Sequence, residues 1–281
     1  MKVLILGASG MLGHIIFKKF SKKYKTIGTI RKTLDTSNIT YDFNTDSIVE
    51  NCDVTNLQAT KNLIHQIKPN LIINCVGVVK QIKESSNPLI SIAINSLWPH
   101  QLAHICKQIG AKCIHFSTDC VFSGKKGNYS EEHVSDAYDL YGRSKYLGEL
   151  NYKHCITFRT SIIGKELCSK NGLLEWFLSQ KNKTIKGFKN AIFSGFTTNE
   201  VANILFHIID NHYDLCGIYH LSSTPISKHD LLHLVKDKFG WVGNIEPEHQ
   251  VSCNRSLDSA KLKSLINYNF PTWENMINDL K

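Results

Sequence analysis

A tyrosine and a lysine four residues apart could together form a proton donor. In the stretch Tyr141-Gly-Arg-Ser-Lys145, a helix would place the two side chains on one face. A free tyrosine has a pKa of about 10, which is too high for ready proton exchange at neutral pH. A fixed ammonium beside the phenol favours the phenolate and lowers that pKa. The spacing alone is also that of an ordinary exposed helix surface, and it is the neighbouring motifs that favour the interpretation of the pair as a general acid.

A glycine-rich turn near the N-terminus predicts a dinucleotide site. Gly7, Gly10 and Gly13 follow the apolar run Val3–Leu6 and open a helical pattern. Glycines permit a tight turn and a close backbone approach, and a helix N-terminus attracts phosphate through its free N–H groups and its dipole. The spacing is G-x-x-G-x-x-G rather than G-x-G-x-x-G. A turn without a ligand is the alternative, but the strand before and the helix after favour a nucleotide.

The residues that follow the second predicted strand favour NADP over NAD. An acid at this place binds a ribose 2′-hydroxyl, whereas an arginine accommodates a 2′-phosphate. Here the sequence has Arg31 and Lys32, and the first acid is Asp35. A solvated loop is the alternative interpretation. Further on, Asp53 could accept a hydrogen bond from an adenine amino group, or it could cap the segment Val54–Lys61.

Polar residues also end two later strands, where ligands of open α/β sheets bind. Asn74-Cys-Val-Gly77 ends a central strand, and Gly77 would let the backbone pass close to a cofactor. Ser117-Thr118-Asp119 ends the next strand; Thr118 could bind a substrate oxygen and Asp119 could orient it, or the two could simply cap the strand end. For Asn95, inside a helical run, a structural role is favoured over direct chemistry.

These residues need a framework, and apolar runs alternating with helical patterns supply one. Through the first 160 residues the alternation predicts right-handed βαβ crossovers and a parallel sheet covered on both faces. Beyond about residue 165 the pattern loosens, and one late strand would return to the sheet. The predicted strands are 3–6, 26–29, 71–75, 112–116, 156–159 and 218–221, and the predicted helices are 11–20, 60–67, 97–109, 141–150, 172–178 and 228–238.

Composition excludes several classes of protein. Hydrophobic residues make up 42% of the 281 residues and charged residues 20%, an ordinary globular balance. The net charge of +9 comes from scattered lysines, so we expect no nucleic-acid partner. The nine cysteines and thirteen histidines show no metal-ligand spacing, which predicts no metal site and a reducing compartment. No apolar run reaches the ~18 residues of a membrane helix, so we expect no membrane association and a cytoplasmic location.

Taken in order, four motifs resemble the extended short-chain dehydrogenase/reductase superfamily, and within it the dTDP-4-dehydrorhamnose reductase family. The motifs are Gly7–Gly13, Asn74–Gly77, Ser117–Gly124 and Tyr141–Lys145. The resemblance continues to Glu149 and, more weakly, to Arg255–Asp258, so it spans nearly the whole chain.

This resemblance implies a catalytic triad of Thr118, Tyr141 and Lys145. Tyr141 would donate a proton to a sugar 4-keto oxygen as NADPH delivers hydride, Lys145 would hold the nicotinamide ribose and lower the tyrosine pKa, and Thr118 would orient the carbonyl. The implied cofactor-binding residues are Gly7, Ser9, Gly10, Met11, Leu12, Gly13, Arg31, Lys32, Asp53, Val54, Cys75, Val76, Gly77, Asn95, Tyr141 and Lys145. The implied substrate-binding residues are Val79, Thr118, Asp119, Cys120, Ser161 and Arg255.

The implied architecture is α/β: a Rossmann-like, doubly wound parallel sheet with a smaller, interleaved C-terminal substrate-binding region. Residues 1–165, with a returning segment near 192–222, would form the dinucleotide-binding domain. Residues 166–191 and 223–281 would form the substrate-binding region, and a homodimer is a further expectation. Cys120 and Ser123 stand where the family usually has Tyr and Asp, so the reaction class is better specified than the sugar.

The resulting hypothesis is an NADPH-dependent reductase of a nucleotide-linked 4-keto-6-deoxy sugar, acting in surface polysaccharide biosynthesis. The sugar nucleotide could be dTDP-4-dehydrorhamnose or a UDP-linked or N-acetylated relative. Two alternatives stay open. One is an epimerase or dehydratase that keeps its cofactor bound, and the other is a non-catalytic regulatory subunit that binds NADP and a partner protein.

Overall fold

A parallel sheet with helices on both faces forms the centre of the molecule. The structure is a computed structural model and describes residues 1–34, 45–167 and 169–280. Asp35, the first acid after the second strand, lies outside the described residues.

The strands fall into one large sheet and three small ones. Numbered along the chain, they are β1 (Lys2–Leu6), β2 (Lys25–Thr29), β3 (Ile48–Val49), β4 (Leu71–Asn74), β5 (Lys112–Thr118), β6 (Cys155–Thr160), β7 (Ile162–Ile163), β8 (Thr184–Phe188), β9 (Ala191–Phe193), β10 (Phe196–Thr197), β11 (Gly217–His220), β12 (Ile226–Ser227), β13 (Asn244–Glu248) and β14 (Cys253–Asn254). The large sheet has the order β11-β6-β5-β4-β1-β2-β3, and every pair in it is parallel. This order reverses at β1, as in doubly wound nucleotide-binding folds.

The helices connect these strands. They are α1 (Gly13–Phe20), α2 (Leu57–Ile67), α3 (Pro88–Ser91), α4 (Trp98–Ile109), α5 (Leu140–Leu147), α6 (Leu173–Ser179), α7 (Thr198–Asn211), α8 (Lys228–Phe239), α9 (Ala260–Ile266) and α10 (Trp273–Asn278), and a π-helical segment, Ile92–Leu97, joins α3 to α4. None of them, within the described ranges, is long and apolar enough to cross a membrane.

Alternation along β1 shows why the sheet is covered on both sides. Val3 and Ile5 belong to a core that α1 and α7 complete, whereas Leu4 and Leu6 belong to a second core with α2 and α4. All four side chains are fully buried. Successive residues of a strand point to opposite faces, so this one apolar strand contributes side chains to both cores. The expected doubly wound α/β sheet is therefore confirmed.

The second half of the chain is only partly as predicted. The late strand is present as β11, which pairs in parallel with β6 at the edge of the large sheet. The predicted helices 172–178 and 228–238 correspond to α6 and α8. The helix α7 was not predicted, although its buried Val201, Ile204, Leu205, Ile208 and Ile209 recur at the spacing of one helix face.

Three small sheets lie in the C-terminal half, and they pair segments that are distant along the chain. Strand β8 pairs with β13, β9 pairs with β12 and β14, and β7 pairs with β10. Strand β9 thus joins the predicted returning segment to residues of the predicted substrate-binding region. The division into the two regions stays a prediction.

Candidate active site

The glycine loop joins β1 to α1 and is anchored on β2. Gly7 adopts a φ of +82°, and its N–H and that of Ala8 both donate to the carbonyl of Thr29, at 3.1 and 2.8 Å. A Cβ on Gly13 would lie 2.1 Å from the carbonyl oxygen of Gly7. The first and third glycines are thus required by the turn itself, because any side chain at Gly13 would push the loop away from the helix.

The second glycine and Gly77 have a different environment. A Cβ on Gly10 would meet only the Gly7 carbonyl, at 3.4 Å, and one on Gly77 would meet Asn95 Oδ1 at 3.5 Å and Lys145 Nζ at 3.9 Å. Both glycines are exposed. Helix α1 begins without a side-chain cap and has no acidic residue in its first turn. Open backbone at both places and an uncapped helix N-terminus fit the phosphates of a dinucleotide.

Several residues of the predicted cofactor set have their side chains in the protein interior. Leu12 is 7% exposed and Val54 is 5% exposed, and each belongs to a hydrophobic core. The side chain of Met11 reaches Gly172 at the start of α6. Cys75 and Val76 pack against Gly7, and burial raises the pKa of the Cys75 thiol. Ser9 lies partly exposed in the loop.

The basic residues predicted to select NADP lie on the surface beside the glycine loop. Arg31 and Lys32 are exposed directly after β2. Two hydrogen bonds from Thr55, together with the charge of Arg31, hold the pKa of Asp53 below its ordinary value. Asp53 does not cap the following helix, because Asn56 is the N-cap of α2 and accepts from the N–H of Ala59. The capping alternative for Asp53 is therefore wrong.

Asn95 supports the loop after β4 from inside the protein. Its Oδ1 accepts from the Val78 N–H at 2.9 Å, and its Nδ2 donates to the Val78 carbonyl at 3.0 Å and to Ser144 Oγ at 3.3 Å. The side chain is 1% exposed. Asn95 thus holds the segment that contains Gly77 against helix α5. The structural role expected for it is present, and a direct contact with a cofactor stays a prediction.

Thr118 and Tyr141 come together at the carboxyl edge of the sheet. Thr118 ends β5, and its Oγ1 accepts from the Cys120 N–H at 3.1 Å and donates to Asp119 Oδ1 at 3.1 Å. Tyr141 lies in the first turn of α5, within hydrogen-bonding reach of Thr118. That hydrogen bond favours the phenolate, but the loss of water around the hydroxyl dominates and raises the pKa of Tyr141.

Lys145 is buried one helical turn further along α5. Its Nζ donates to the carbonyl of Phe116 at 2.5 Å and lies close to Gly77. Burial lowers the pKa of Lys145 to about 8, against the opposing charge of Glu149. Burial raises the pKa of Tyr141 in this structure, and the expectation that Lys145 lowers this pKa stays a prediction. The Lys145 ammonium is directed to a backbone carbonyl of β5.

The buried ammonium makes stability depend on pH in a predictable direction. Below about pH 8 the folded and unfolded chains both hold the Lys145 proton, so the full cost of burying the charge is present. Between about pH 8 and the ordinary lysine value, only the unfolded chain holds it, so raising the pH favours the fold. We expect the free energy of unfolding of the wild type, relative to Lys145→Met, to rise by up to about 1.4 kcal/mol per pH unit in this window. Urea titrations of both proteins at several pH values measure it, and a difference that falls or stays constant would contradict it.

The predicted substrate residues surround the same edge. Val79 is 44% exposed, and Asp119 and Cys120 lie beside Thr118. Burial, followed by the charge of Asp119, raises the pKa of the Cys120 thiol to about 12. Arg255, which is 133 residues from Phe122, donates from its Nε to the Phe122 carbonyl at 2.8 Å. Its charge is close enough to act on Cys120, Asp119 and Asp139.

Ser161 directly follows Thr160, which pairs with Thr118 between β6 and β5. Its carbonyl accepts from the Phe196 N–H at 3.1 Å, and a Cβ on Gly195 would lie 2.0 Å from that oxygen. The position of Ser161 is thus fixed by the pairing of β7 with β10. A contact between Ser161 and a substrate stays a prediction.

The structure also adds residues to the site that sequence reasoning missed. Lys80 forms an ion pair with Asp139 at 2.6 Å, and Asp139 caps α5 by accepting from the Gly142 N–H at 2.7 Å. Asp139 had a detectable signal, since an Asp just before a helix is a typical N-cap. Lys80 had none. Among the described residues, no group of three or more His, Cys, Asp or Glu could hold a metal ion.

A second group that was missed lies behind the site. Glu149, just after α5, pairs with Arg159 of β6 through two hydrogen bonds of 2.8 and 2.7 Å, and Ser117 Oγ donates to the same carboxylate at 2.7 Å. Both charged side chains are buried, at 4% and 5% exposure. Arg159 also lies 3.3 Å from His220 of β11. This group ties α5 to three strands of the sheet.

The strand order, the glycine loop before α1 and the arrangement of Thr118, Tyr141 and Lys145 are those of a short-chain dehydrogenase/reductase. Within that class, the model of the RmlD substrate binding domain matches residues 1–280. The chain therefore belongs to this family, as the resemblance predicted.

Known proteins share both sequence and fold with the chain. The chain is 26% identical over 147 residues to a dTDP-4-dehydrorhamnose reductase of Streptomyces griseus, and this alignment covers 52% of the chain and 43% of that protein. The chain is 29% identical over 149 residues to methionine adenosyltransferase 2 subunit beta of Mus musculus, and this alignment covers 53% of the chain and 41% of that protein. The chain thus aligns with less than half the length of these relatives.

A solved structure shares the fold over nearly the whole chain. The dTDP-4-dehydrorhamnose reductase of Bacillus anthracis, in complex with NADP, superposes with a TM-score of 0.80, covering 98% of this chain and 96% of that one at 21% identity.

Proposed function

We propose that this chain reduces the 4-keto group of a nucleotide-linked 6-deoxy sugar with NADPH, for surface polysaccharide biosynthesis. One observation carries the proposal: the Tyr141 hydroxyl lies beside Thr118 at the carboxyl edge of the sheet, with Lys145 and Gly77 next to them. Two hydroxyl groups of this kind can hold a carbonyl oxygen and protonate it. The family membership supports the same reaction class.

Tyr141 is the proton donor in this proposal. Its raised pKa keeps the phenol protonated at neutral pH, so the proton is present when a carbonyl oxygen arrives. Thr118 is held by the Cys120 N–H, and its hydroxyl proton turns from Asp119 to the arriving oxygen and orients it. As the oxygen gains negative charge, the proton passes to it from the Tyr141 Oη. This step leaves a phenolate at Tyr141.

Lys145, whose Nζ lies close to Gly77, supports this step. Its buried ammonium, bonded to the Phe116 carbonyl, keeps hydrogen-bonding capacity for a ribose hydroxyl. With a pKa of about 8 it is mostly charged at neutral pH. The positive charge favours the phenolate that Tyr141 becomes, and a proton from solvent then restores the phenol. NADPH, when bound, supplies the hydride that the protein side chains lack.

The cofactor would lie along the glycine loop, with its phosphates at the uncapped start of α1. Arg31 and Lys32 would meet the 2′-phosphate, since both are exposed next to that loop. A relative of the same fold binds NADP. Together these observations support NADP over NAD.

Removal of the two basic side chains should therefore weaken NADP binding selectively. In Arg31→Ala/Lys32→Ala we expect the NADP dissociation constant to rise about 10- to 100-fold, because charge-assisted hydrogen bonds to a phosphate contribute roughly 1.5–3 kcal/mol. The NAD dissociation constant should change less than about threefold by the same reasoning. Isothermal titration with each cofactor tests this, with Lys25→Ala as the control because Lys25 is also exposed but lies at the far end of β2. Equal weakening for NADP and NAD would refute the assignment.

The substrate would approach from the side of Val79, Cys120 and Arg255. The Arg255 guanidinium, half-buried and fixed through its Nε, has a planar set of donors that suits a phosphate or a sugar hydroxyl. Cys120 has a smaller side chain than the tyrosine usual in the family at this position beside Thr118. This difference in side-chain size supports a substrate other than dTDP-4-dehydrorhamnose, such as an N-acetylated or UDP-linked sugar.

The decisive experiment follows NADPH oxidation with dTDP- and UDP-linked 4-keto-6-deoxy sugars generated in situ. Stoichiometric oxidation with one of them supports the reductase and names its substrate. Product formation without net consumption of NADPH would instead indicate an epimerase or dehydratase, which returns its hydride. Absence of any product across the panel would refute the reductase.

One observation favours a second candidate, a non-catalytic regulatory subunit. The mouse relative is a subunit of methionine adenosyltransferase, so a member of this fold can serve in an assembly. The presence of all three of Thr118, Tyr141 and Lys145 argues against that role here. Binding of NADP and of one partner protein, together with inactivity towards the sugars, would favour it.

A further inference from the structure

Asp139 connects the start of α5 to the loop that follows β4. Its Oδ1 accepts from the Gly142 N–H at 2.7 Å and caps the helix, while its Oδ2 lies 2.6 Å from Lys80 Nζ. Tyr141 is two residues from Asp139, and Lys80 is three residues from Gly77. One carboxylate thus joins the end of α5 that carries the proton donor to the loop beside which the cofactor would bind.

The two halves of α5 are held in different ways. Its second half is fixed by buried contacts: Ser96 Oγ donates to the Ser144 carbonyl at 2.8 Å, and a Cβ on Gly148 would lie 1.9 Å from the Asn95 carbonyl oxygen. Its first turn lies against the Cys120 carbonyl on one side, where a Cβ on Gly142 would approach to 2.2 Å. On the side that faces the loop after β4, the first turn is held by the ion pair of Lys80 and Asp139, whose side chains are 47% and 27% exposed, respectively.

Charge around the pair supports a persistent contact. Burial raises the pKa of Asp139, but Lys80 and the Gly142 N–H outweigh it, so the net shift is downward and the carboxylate stays charged at neutral pH. Arg255 adds a second positive charge near Asp139. The cap and the helix dipole also favour a negative charge at this position.

We propose that Lys80 and Asp139 form a positioning pair, which sets the place of the Tyr141 hydroxyl relative to the cofactor-side loop at Gly77. The inference rests on the proposed reductase for its kinetic consequence. Neither side chain takes part in proton transfer. The pair acts by fixing the first turn of α5, and a small displacement of a reacting group lowers turnover more than it lowers binding.

Kinetics of three variants test this. In Lys80→Met we expect kcat to fall about tenfold, while the NADP dissociation constant changes less than about threefold. Asp139→Asn should behave alike, because asparagine still caps the helix but loses the charge. Lys80→Arg should restore kcat to within about threefold of the wild type, since it replaces the ammonium by another cation. The double variant Lys80→Met/Asp139→Asn should be no slower than either single variant, as expected for one shared interaction.

A second readout does not depend on turnover. Amide hydrogen exchange in Lys80→Met should accelerate in residues 140–143 and stay unchanged in residues 144–147, which the buried contacts hold. The matched control is Lys23→Met, which removes a Lys23–Asp210 pair of similar exposure (52% and 23%) and 2.5 Å length, away from the site. It should change neither exchange in α5 nor kcat.

The outcomes separate the two proposals. Wild-type kcat together with unchanged exchange in Lys80→Met overturns the positioning pair, and so does faster exchange along the whole of α5, which would mean a merely structural role. If the wild type turns over none of the sugars but Lys80→Met still accelerates exchange in 140–143 alone, the reductase fails and the positioning of the helix stands.

Discussion

Tyr141→Phe is expected to lower kcat by about 10²- to 10⁴-fold, the usual contribution of a positioned general acid. The substitution removes one oxygen atom from a ring whose place in α5 is otherwise kept. Thr118 would still bind the carbonyl oxygen, but the phenol that donates the proton would be missing. The NADP dissociation constant should change less than about threefold, because the glycine loop and the basic residues after β2 are untouched. Pre-steady-state and steady-state NADPH oxidation with the substrate identified in the panel measure the loss.

The control for this variant lies on the same helix. Tyr146 is 42% exposed and its side chain points away from the interior, so Tyr146→Phe should keep wild-type turnover. Turnover within threefold of the wild type in Tyr141→Phe would exclude the tyrosine as proton donor. Equal losses in both variants would indicate that the helix, and not the hydroxyl, had been disturbed.

The largest loss of stability is expected from breaking the buried ion pair behind the site. Glu149→Ala leaves the Arg159 guanidinium, 5% exposed, without its carboxylate and removes the acceptor of Ser117. Removal of one partner of a buried pair costs about 3–5 kcal/mol, because the remaining charge is buried unpaired. For a chain of this size we expect a fall in Tm on the order of 10 °C. Urea unfolding and calorimetry both measure the change.

Two further variants show whether the unpaired charge is the cause. Glu149→Leu/Arg159→Met removes both charges and should be more stable than Glu149→Ala, since apolar replacement of a whole buried pair is often close to neutral. Lys23→Met, at the exposed Lys23–Asp210 pair, should cost at most about 1 kcal/mol. A double variant as unstable as Glu149→Ala would place the cost in lost packing rather than in the buried charge.

Much of the fold followed from local sequence. The runs that became β1, β4, β5 and β6 are short, apolar and bounded by turns, and fully buried parallel strands have this composition because both faces are covered. The glycines of the first turn are required by backbone sterics at Gly7 and Gly13. The helix that spaces Tyr141 and Lys145 was predicted at 141–150 and spans Leu140–Leu147.

The meeting of Thr118 and Tyr141 was also within reach of the sequence. Parallel strands all end at one edge of their sheet, and Thr118 ends a strand while Tyr141 begins the next helix. Topology therefore brings them together without knowledge of any side-chain contact.

The protonation of the site could be decided only by the tertiary structure. Helical spacing suggested a lowered tyrosine pKa, but burial raises the pKa of Tyr141, and Lys145 bonds to the Phe116 carbonyl. A pKa depends on the water and charges that surround a group in three dimensions, and sequence spacing does not specify them. The same limit applies to Arg255, whose place beside Cys120 depends on the return of a distant segment.

The sequence by itself thus predicted the residues to which the chemistry is assigned and determined the edge of the sheet where Thr118 and Tyr141 meet, because strand ends and helix starts follow from local periodicity and parallel pairing. The tertiary structure alone decided how each group is charged, that Lys80 reaches Asp139 and that Glu149 pairs with Arg159. Those contacts join segments far apart in the chain, and only the packed core fixes the distances between them.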